Sequence, residues 1–102
     1  MSLSIEKRSL LTIITEAAIE ESLLRDLDKL GVHGYTVSDV RGRGSHGIRN
    51  ASWGEEANGR IDVICTRSLA ESGLQFVQNH YYTNYAMVAF IQDVEVIRPE
   101  KF

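Results

Sequence analysis

The spacing of apolar residues changes twice along the chain, each time from the alternation of a β-strand to the three- and four-residue intervals of a helix. An apolar, β-branched run at 10–15 predicts a buried strand, and leucines at helical intervals over 16–30 predict an amphipathic helix. Gly31 ends this helix, and alternation at 35–40 predicts a second strand. The first half therefore predicts a strand, a helix and another strand.

The second half repeats this order after a long interruption. Alternation at 60–66 predicts a third strand, and Ser68 with Glu71 forms an S-x-x-E capping box that starts a second helix. A fourth strand is predicted at 86–97. The βαββαβ order is that of an α+β, ferredoxin-like fold with a four-stranded antiparallel sheet. Because 102 residues support only one core, 1–102 is interpreted as a single domain.

Charge and composition exclude several classes of protein. The 14 acidic residues exceed the 11 Lys and Arg residues, which disfavours binding to nucleic acid, and the 43% of hydrophobic residues spread along the chain exclude disorder. There is neither a run of ~20 apolar residues nor a signal peptide, so we expect a cytoplasmic protein without membrane insertion. Cys65 is the only cysteine, which excludes an intrachain disulfide and predicts a buried thiol.

A segment of 19 residues at 41–59 separates the second and third predicted strands and holds five of the eight glycines. A hairpin needs only ~2–5 residues, and longer loops in compact domains are usually functional or disordered. The first ten residues of the segment carry three arginines and no acid. Glycine N–H groups and guanidinium forks are typical of a phosphate or carboxylate site, and the alternative is a solvated, flexible loop. No P-loop or dinucleotide-binding spacing is present.

Four segments resemble the PII signal-transduction superfamily, and in particular its PII-like branch of SbtB-type and carboxysome-associated proteins. They are GYTV at 34–37, GRGSHGIR at 42–49, YYTNYA at 81–86 and RPEKF at 98–102. The four segments agree with the family in order and spacing, so the match spans nearly the whole chain. In this family, the segment at 41–59 corresponds to the T-loop.

The resemblance implies a homotrimer with an adenine nucleotide in each cleft between neighbouring subunits. It also implies a T-loop that docks on a partner such as a bicarbonate transporter or a carboxysome protein. Thr36 would lie beside the adenine, and Arg49 and Arg98 would neutralise the phosphates. The other implied nucleotide-binding residues are Thr15, Glu16, Gly42, Gly44, Ser45 and His46. His46 stands where the family has an arginine, so phosphate affinity would depend on pH near neutrality.

Two departures from the family bear on the choice of ligand and on modification of the loop. NYAM at 84–87 stands where classical PII proteins have a G-x-G-K phosphate segment, so ADP, AMP or cyclic AMP is favoured over ATP with magnesium. No tyrosine lies at 41–59, which removes the uridylylation site of the classical loop.

The favoured interpretation is a regulatory sensor with no catalytic residue, no metal and no required cofactor. It would bind an adenine nucleotide, with bicarbonate as a candidate second ligand and the carboxysome as a candidate location. We expect the loop at 41–59 to be partly disordered without ligand. One alternative is a slow nucleotide hydrolase, for which His46 is a candidate base. The other is a CutA-like trimeric interaction or metal-binding module.

Two groups of side chains are expected to be structural. The tyrosines near the end of the second helix are expected in the core or at subunit contacts, and the acidic residues of the first helix are expected to be solvated. These residues are Tyr81, Tyr82 and Tyr85, and Glu20, Glu21, Asp26 and Asp28.

Overall fold

The computed structural model describes residues 3–42 and 58–102. Its elements are β1 (Glu6–Glu16), a 3-10 turn (Ala17–Ile19), α1 (Glu20–Leu30), β2 (Thr36–Val40), β3 (Asn58–Cys65), α2 (Arg67–His80), β4 (Met87–Val96) and a second 3-10 turn (Pro99–Lys101). The strands form one antiparallel sheet in the order β2-β3-β1-β4. The predicted α+β, βαββαβ fold is therefore confirmed.

β1 is the central strand of the sheet and pairs along most of its length with β3 and β4. Alternate residues of β1 and β3 face the two helices and form the core, which includes Leu11, Ile13, Ile61 and Val63. Each such side chain, when fully buried, contributes about 1.5–3 kcal/mol to folding. Burial on the helix side therefore fixes which face of every strand points outward.

α2 begins two residues earlier than the sequence predicts. The N-cap is Thr66, whose side chain accepts a hydrogen bond from the Leu69 N–H (3.3 Å), so the prediction of a capping box at Ser68 and Glu71 is wrong. Thr66 directly follows β3 and keeps extended backbone angles, which leaves its hydroxyl free to cap. Glu71 instead accepts from Arg67 Nε at 2.9 Å.

The predicted loop at 41–59 is also too long at its C-terminal end, because β3 already begins at Asn58. Gly59 pairs with both Thr15 and Asp39 across the sheet. A side chain there would meet the Glu20 carboxylate, since an ideal Cβ at Gly59 lies 2.5 Å from Glu20 Oε1. A side chain at this position would therefore displace the Glu20 carboxylate, which lies at the end of a flexible side chain on α1.

Tyr81 joins the two helices through a buried hydroxyl. It is 7% exposed, which confirms its predicted place in the core. Its Oη donates a hydrogen bond to Asp26 Oδ2 and contacts Ser22 Oγ at 3.1 Å. The expectation that Asp26 is merely solvated is therefore wrong. Burial, with the hydrogen bond to Asp26 second, raises the pKa of Tyr81 above its ordinary value of 10.0.

Replacing Tyr81 by Phe is expected to lower the free energy of unfolding at pH 7 by about 1–2 kcal/mol, because the Asp26 carboxylate loses its donor. Since the folded pKa of Tyr81 is raised, its contribution is complete below the unfolded pKa near 10 and is lost as pH rises through the folded value. Urea unfolding between pH 7 and 11 measures both effects. Tyr35→Phe, at a position that is 52% exposed, is the control. Equal loss in both variants would contradict the assignment.

Candidate functional site

The face of the sheet opposite the helices is not covered by any other part of the chain that the structure describes. Cross-strand pairs such as Leu10 with Ile64 and Ile14 with Val88 lie on this face. We call it the open face, and its residues include Leu10, Thr12, Ile14, Thr36, Ser38, Arg60, Asp62, Ile64, Val88, Phe90, Gln92 and Val94. Among the described residues, it is a surface that a ligand or a partner can reach.

Three polar residues form a hydrogen-bonded cluster in the middle of the open face. Thr12 Oγ1 donates to Asp62 Oδ1 at 2.7 Å, and Arg60 Nε lies 3.0 Å from Asp62 Oδ2 and 3.2 Å from Oδ1. Thr12 is fully buried, whereas the side chains of Asp62 and Arg60 are 24% and 35% exposed. We call these three residues the polar cluster. Its carboxylate is held in place by two charge-assisted hydrogen-bond donors.

Thr36 lies beside the polar cluster. It is the cross-strand partner of Asp62, and its side chain is exposed. Sequence reasoning selected Thr36 but missed Arg60 and Asp62. The available signal was their two-residue spacing on a strand, which places both side chains on one face.

Thr15 and Glu16 lie at the C-terminal end of β1. The end of β2 and the start of β3, which flank the 43–57 segment in sequence, lie at the same end of the sheet. The Thr15 hydroxyl donates to the Ala86 carbonyl at 3.3 Å, and the Ala86 N–H donates to Glu16 Oε2 at 3.1 Å. Both side chains therefore join β1 to the start of β4. Gly42, two residues beyond β2, is exposed, and no atom of the described residues other than its chain neighbours lies within 4 Å of an ideal Cβ there.

Arg98 lies at the opposite end of the sheet. It follows β4, whose last residue Val96 pairs with Glu6 at the start of β1. Its φ of 60° turns the chain back, so that Arg8 Nε donates to the Phe102 carbonyl at 3.4 Å. Because β1 spans 11 residues, Arg98 is about 30 Å from the Glu16 end. One copy of the chain does not bring Arg98 to Gly42.

The remaining predicted ligand residues, Gly44, Ser45, His46 and Arg49, lie outside the described residues, as does most of the segment for which disorder without ligand was expected.

Residues 8–101 match the family model for the nitrogen regulatory protein P-II. The chain belongs to the P-II family. The predicted membership of the PII superfamily is thereby confirmed. P-II proteins are non-catalytic signalling proteins, which confirms the prediction that the chain is not an enzyme and removes the slow-hydrolase alternative.

Solved structures of P-II relatives cover the same length. A protein of Thermus thermophilus, classed with the PII-like signalling proteins, is 35% identical with a TM-score of 0.82, over 98% of this chain and 99% of that one. CPII of Thiomonas intermedia, a PII-like protein, is 30% identical in its complex with ADP and bicarbonate (TM-score 0.83, 99% of each chain). Its complex with ADP, AMP and acetate gives 31% identity and a TM-score of 0.85, over 98% of each chain.

Within residues 3–42 and 58–102, no group of three or more His, Cys, Asp or Glu side chains could hold a metal ion. In the same residues, no helix has the length and apolar character needed to span a bilayer.

Cys65 is buried, as predicted, with 4% of its surface exposed, and burial raises the pKa of its thiol. That thiol is thus a core group of the P-II fold.

Proposed function

We propose that this P-II protein is a sensor of the SbtB-type and carboxysome-associated branch. It binds ADP, AMP or cyclic AMP, with bicarbonate as a second ligand, at the clefts between subunits of a homotrimer. Residues 1–102 act as one domain in the cytoplasm, and the loop after β2 signals to a bicarbonate transporter or a carboxysome protein. The complexes of CPII with ADP, AMP and bicarbonate support this ligand class.

The separation of Arg98 from the start of the loop carries the proposal. A single nucleotide cannot bridge about 30 Å of sheet, so one chain cannot supply both groups to one phosphate chain. Two neighbouring copies can, if the Arg98 end of one meets the Gly42 end of the next. Such head-to-tail contacts close into a ring when the rotation between copies is a simple fraction of a turn, as in a trimer.

Each predicted residue then has a place in the cleft. Thr36 contacts the adenine, and Thr15 and Glu16 border the pocket while holding the start of β4. Arg98 of the neighbouring copy neutralises the phosphates. The groups assigned to the phosphates from the loop are Gly42, Gly44, Ser45, His46 and Arg49.

Titration calorimetry with ADP, AMP and cyclic AMP, with and without bicarbonate, tests the ligand, and sedimentation velocity tests the trimer. We expect saturable heat for at least one nucleotide and a stronger response when bicarbonate is present. Absence of heat at millimolar concentrations of all three nucleotides would reject the proposal. A copper titration of the same samples tests the metal binding that the CutA-like alternative would require.

His46 is expected to make nucleotide affinity depend on pH. A protonated imidazole adds positive charge beside the phosphates, so the affinity for ADP should rise as pH falls from 8 to 6. His46→Arg is expected to raise the affinity at pH 8 by about tenfold and to flatten the pH profile, because the guanidinium stays charged. Calorimetry at pH 6, 7 and 8 measures this. An unchanged profile in the variant would show that another group titrates.

A further inference from the structure

We propose that a phosphate group binds in a cavity on the helix side of the sheet, between the N-terminus of α2 and the buried hydroxyl of Ser9. The cavity has a volume of about 250 Å³, and the residues that line it are Lys7, Arg8, Ser9, Thr66, Arg67 and Asp93. We call it the α2 cavity. Sites for drug-sized ligands are larger, at ~300–1,000 Å³, so this volume is appropriate for one small group.

The α2 cavity is separate from the proposed nucleotide site. Its Ser9 lies on the face of β1 that carries Leu11, which is buried beneath the helices. Thr36, assigned to the adenine, lies on the open face at the other side of the sheet. A phosphate group in the α2 cavity is therefore a second ligand, and its binding does not depend on the proposed function.

Ser9 gives the α2 cavity a buried hydrogen-bond donor. The residue is 2% exposed and pairs with Cys65 on one side and Asp93 on the other. Its hydroxyl has no hydrogen-bond partner in residues 3–42 and 58–102. An unpaired hydroxyl in the interior destabilises a fold, and native structures pair nearly all such groups. A phosphate oxygen in the cavity would accept this hydrogen bond.

The first turn of α2 supplies further donors. Within this helix of 14 residues, the Ala70 N–H donates to the Thr66 carbonyl at 3.0 Å, and the Leu69 N–H donates to the Thr66 hydroxyl at 3.3 Å. The N–H groups of Arg67 and Ser68 precede these bonds and have no partner within the helix. They point out of the helix N-terminus, whose partial positive charge also favours an anion.

Two cationic side chains lie at the same end of the α2 cavity. Arg67 Nε donates to Glu71 Oε2 at 2.9 Å, so the terminal amino groups of Arg67 have no partner among the described residues. Lys7 precedes Ser9 by two residues on β1, which places both side chains on the helix side of the sheet. A guanidinium, an ammonium, a hydroxyl and two backbone N–H groups are together the donors that a phosphate group requires.

Asp93 is the only carboxylate among the described residues that line the α2 cavity. It lies on the opposite side of Ser9 from Cys65, so its Cα is two strand spacings, or ~9.5 Å, from the end of β3 where α2 begins. Exposed charges at this separation are largely screened at physiological salt, where the Debye length is ~8 Å. Asp93 therefore weakens the binding of an anion at α2 only slightly.

Two-dimensional NMR of the isotope-labelled full chain, titrated with inorganic phosphate at constant ionic strength, tests the site. We expect saturable shifts in the amide signals of Arg67 and Ser68. Ser9→Ala and Arg67→Gln are each expected to weaken binding by about tenfold, because each removes a donor to a charged ligand. Asp93→Asn is expected to strengthen binding by about two- to threefold, since a repulsion is removed.

The matched control is Arg25→Gln on α1. Arg25 contacts Glu21 at the same i,i+4 spacing that Arg67 has to Glu71, with 3.2 Å between Nη1 and Oε1, but it lies away from the N-terminus of its helix. This variant should bind phosphate like wild type. Arg98→Ala, which is expected to lose ADP, should keep the phosphate shifts at α2.

Urea unfolding separates a ligand contact from a structural role. Because the Ser9 hydroxyl has no partner in the described residues, Ser9→Ala without phosphate should unfold at the same urea concentration as wild type or a higher one. Phosphate should raise the midpoint of wild type, since it binds only the folded chain, and should raise that of Ser9→Ala much less.

Glycerol 3-phosphate distinguishes the two sources of a phosphate group. Shifts at Arg67 and Ser68 with both compounds would support a site for phosphomonoesters, and shifts with inorganic phosphate alone would support a site for the free ion. Shifts that are absent or do not saturate with either compound would overturn the inference. It would equally be overturned if Ser9→Ala bound phosphate like wild type, if Asp93→Asn bound it more weakly, or if Arg98→Ala abolished binding.

Discussion

A mixture of two variants that each bind ADP weakly is expected to recover about a quarter of the high-affinity ADP sites of wild type. The variants are Arg98→Ala, which removes the arginine assigned to the neighbouring copy, and Gly42→Asp, which adds a carboxylate at the start of the loop. Each alone should lose at least ~10- to 100-fold in ADP affinity, because a charge-assisted contact is lost or a repulsion is added. The Gly42 variant should fold normally, since Gly42 is exposed and its Cβ position has no close contact with the described residues beyond its chain neighbours.

The fraction follows from the geometry of a three-membered ring. If the chains assort at random, about three quarters of the trimers are mixed, and each mixed trimer has one intact site out of three. Co-refolding equal amounts of the two chains and counting sites by calorimetry measures the fraction. Simple pooling without subunit exchange is the control and should show no recovery. No recovery after exchange would mean that Arg98 and Gly42 serve one site within a single chain.

Leu11→Ala is expected to lower the free energy of unfolding by about 2–5 kcal/mol. Leu11 is fully buried on the central strand, and Gly73 of α2 packs directly against it. An ideal Cβ at Gly73 lies 2.7 Å from Leu11 Cδ2. Gly73→Ala is therefore expected to cost about 1–2 kcal/mol, because the clash exceeds the gain in helix propensity.

The two changes should couple, because the methyl group that Gly73→Ala adds can occupy part of the space that Leu11→Ala empties. We expect the double variant to be about 1 kcal/mol or more better than the sum of the single variants. Urea unfolding of the four proteins measures the cycle. Ser72→Ala, an exposed neighbour on the same helix, is the control. Strict additivity would show that Gly73 is required for a reason other than contact with Leu11.

Local patterns were sufficient for the order and the type of the elements. The apolar run in β1 and the helical spacing in α1 both reflect burial, and burial is what the fold rewards. The boundaries were less accurate, because Thr66 and Ser68 are both acceptable caps and only the end of β3 selects between them. The predicted C-terminal end of the loop at 41–59 was also inaccurate, because only strand pairing shows where β3 begins. Gly59 is typical of a loop, yet in this fold it pairs with Thr15 and Asp39 inside the sheet.

The candidate site was predicted only in part. A resemblance in short segments was enough to select Thr36 and Arg98, because those motifs are contiguous in the chain. Arg60 and Asp62 lie on an ordinary alternating strand, and nothing local distinguishes them from solvated charges. What distinguishes Asp62 is its hydrogen bond across the sheet with Thr12, which is 50 residues away in sequence.

By itself, the sequence determined the βαββαβ order, the apolar face of the first helix and the concentration of positive charge after β2. These follow from short-range geometry, since a side chain's direction is set by its position along a strand or helix. Only the tertiary structure decided that Thr36 meets Asp62 and that Arg98 lies at the far end of the sheet from Glu16. The register and direction of strand pairing arise from contacts between residues far apart in the chain, which local spacing does not encode.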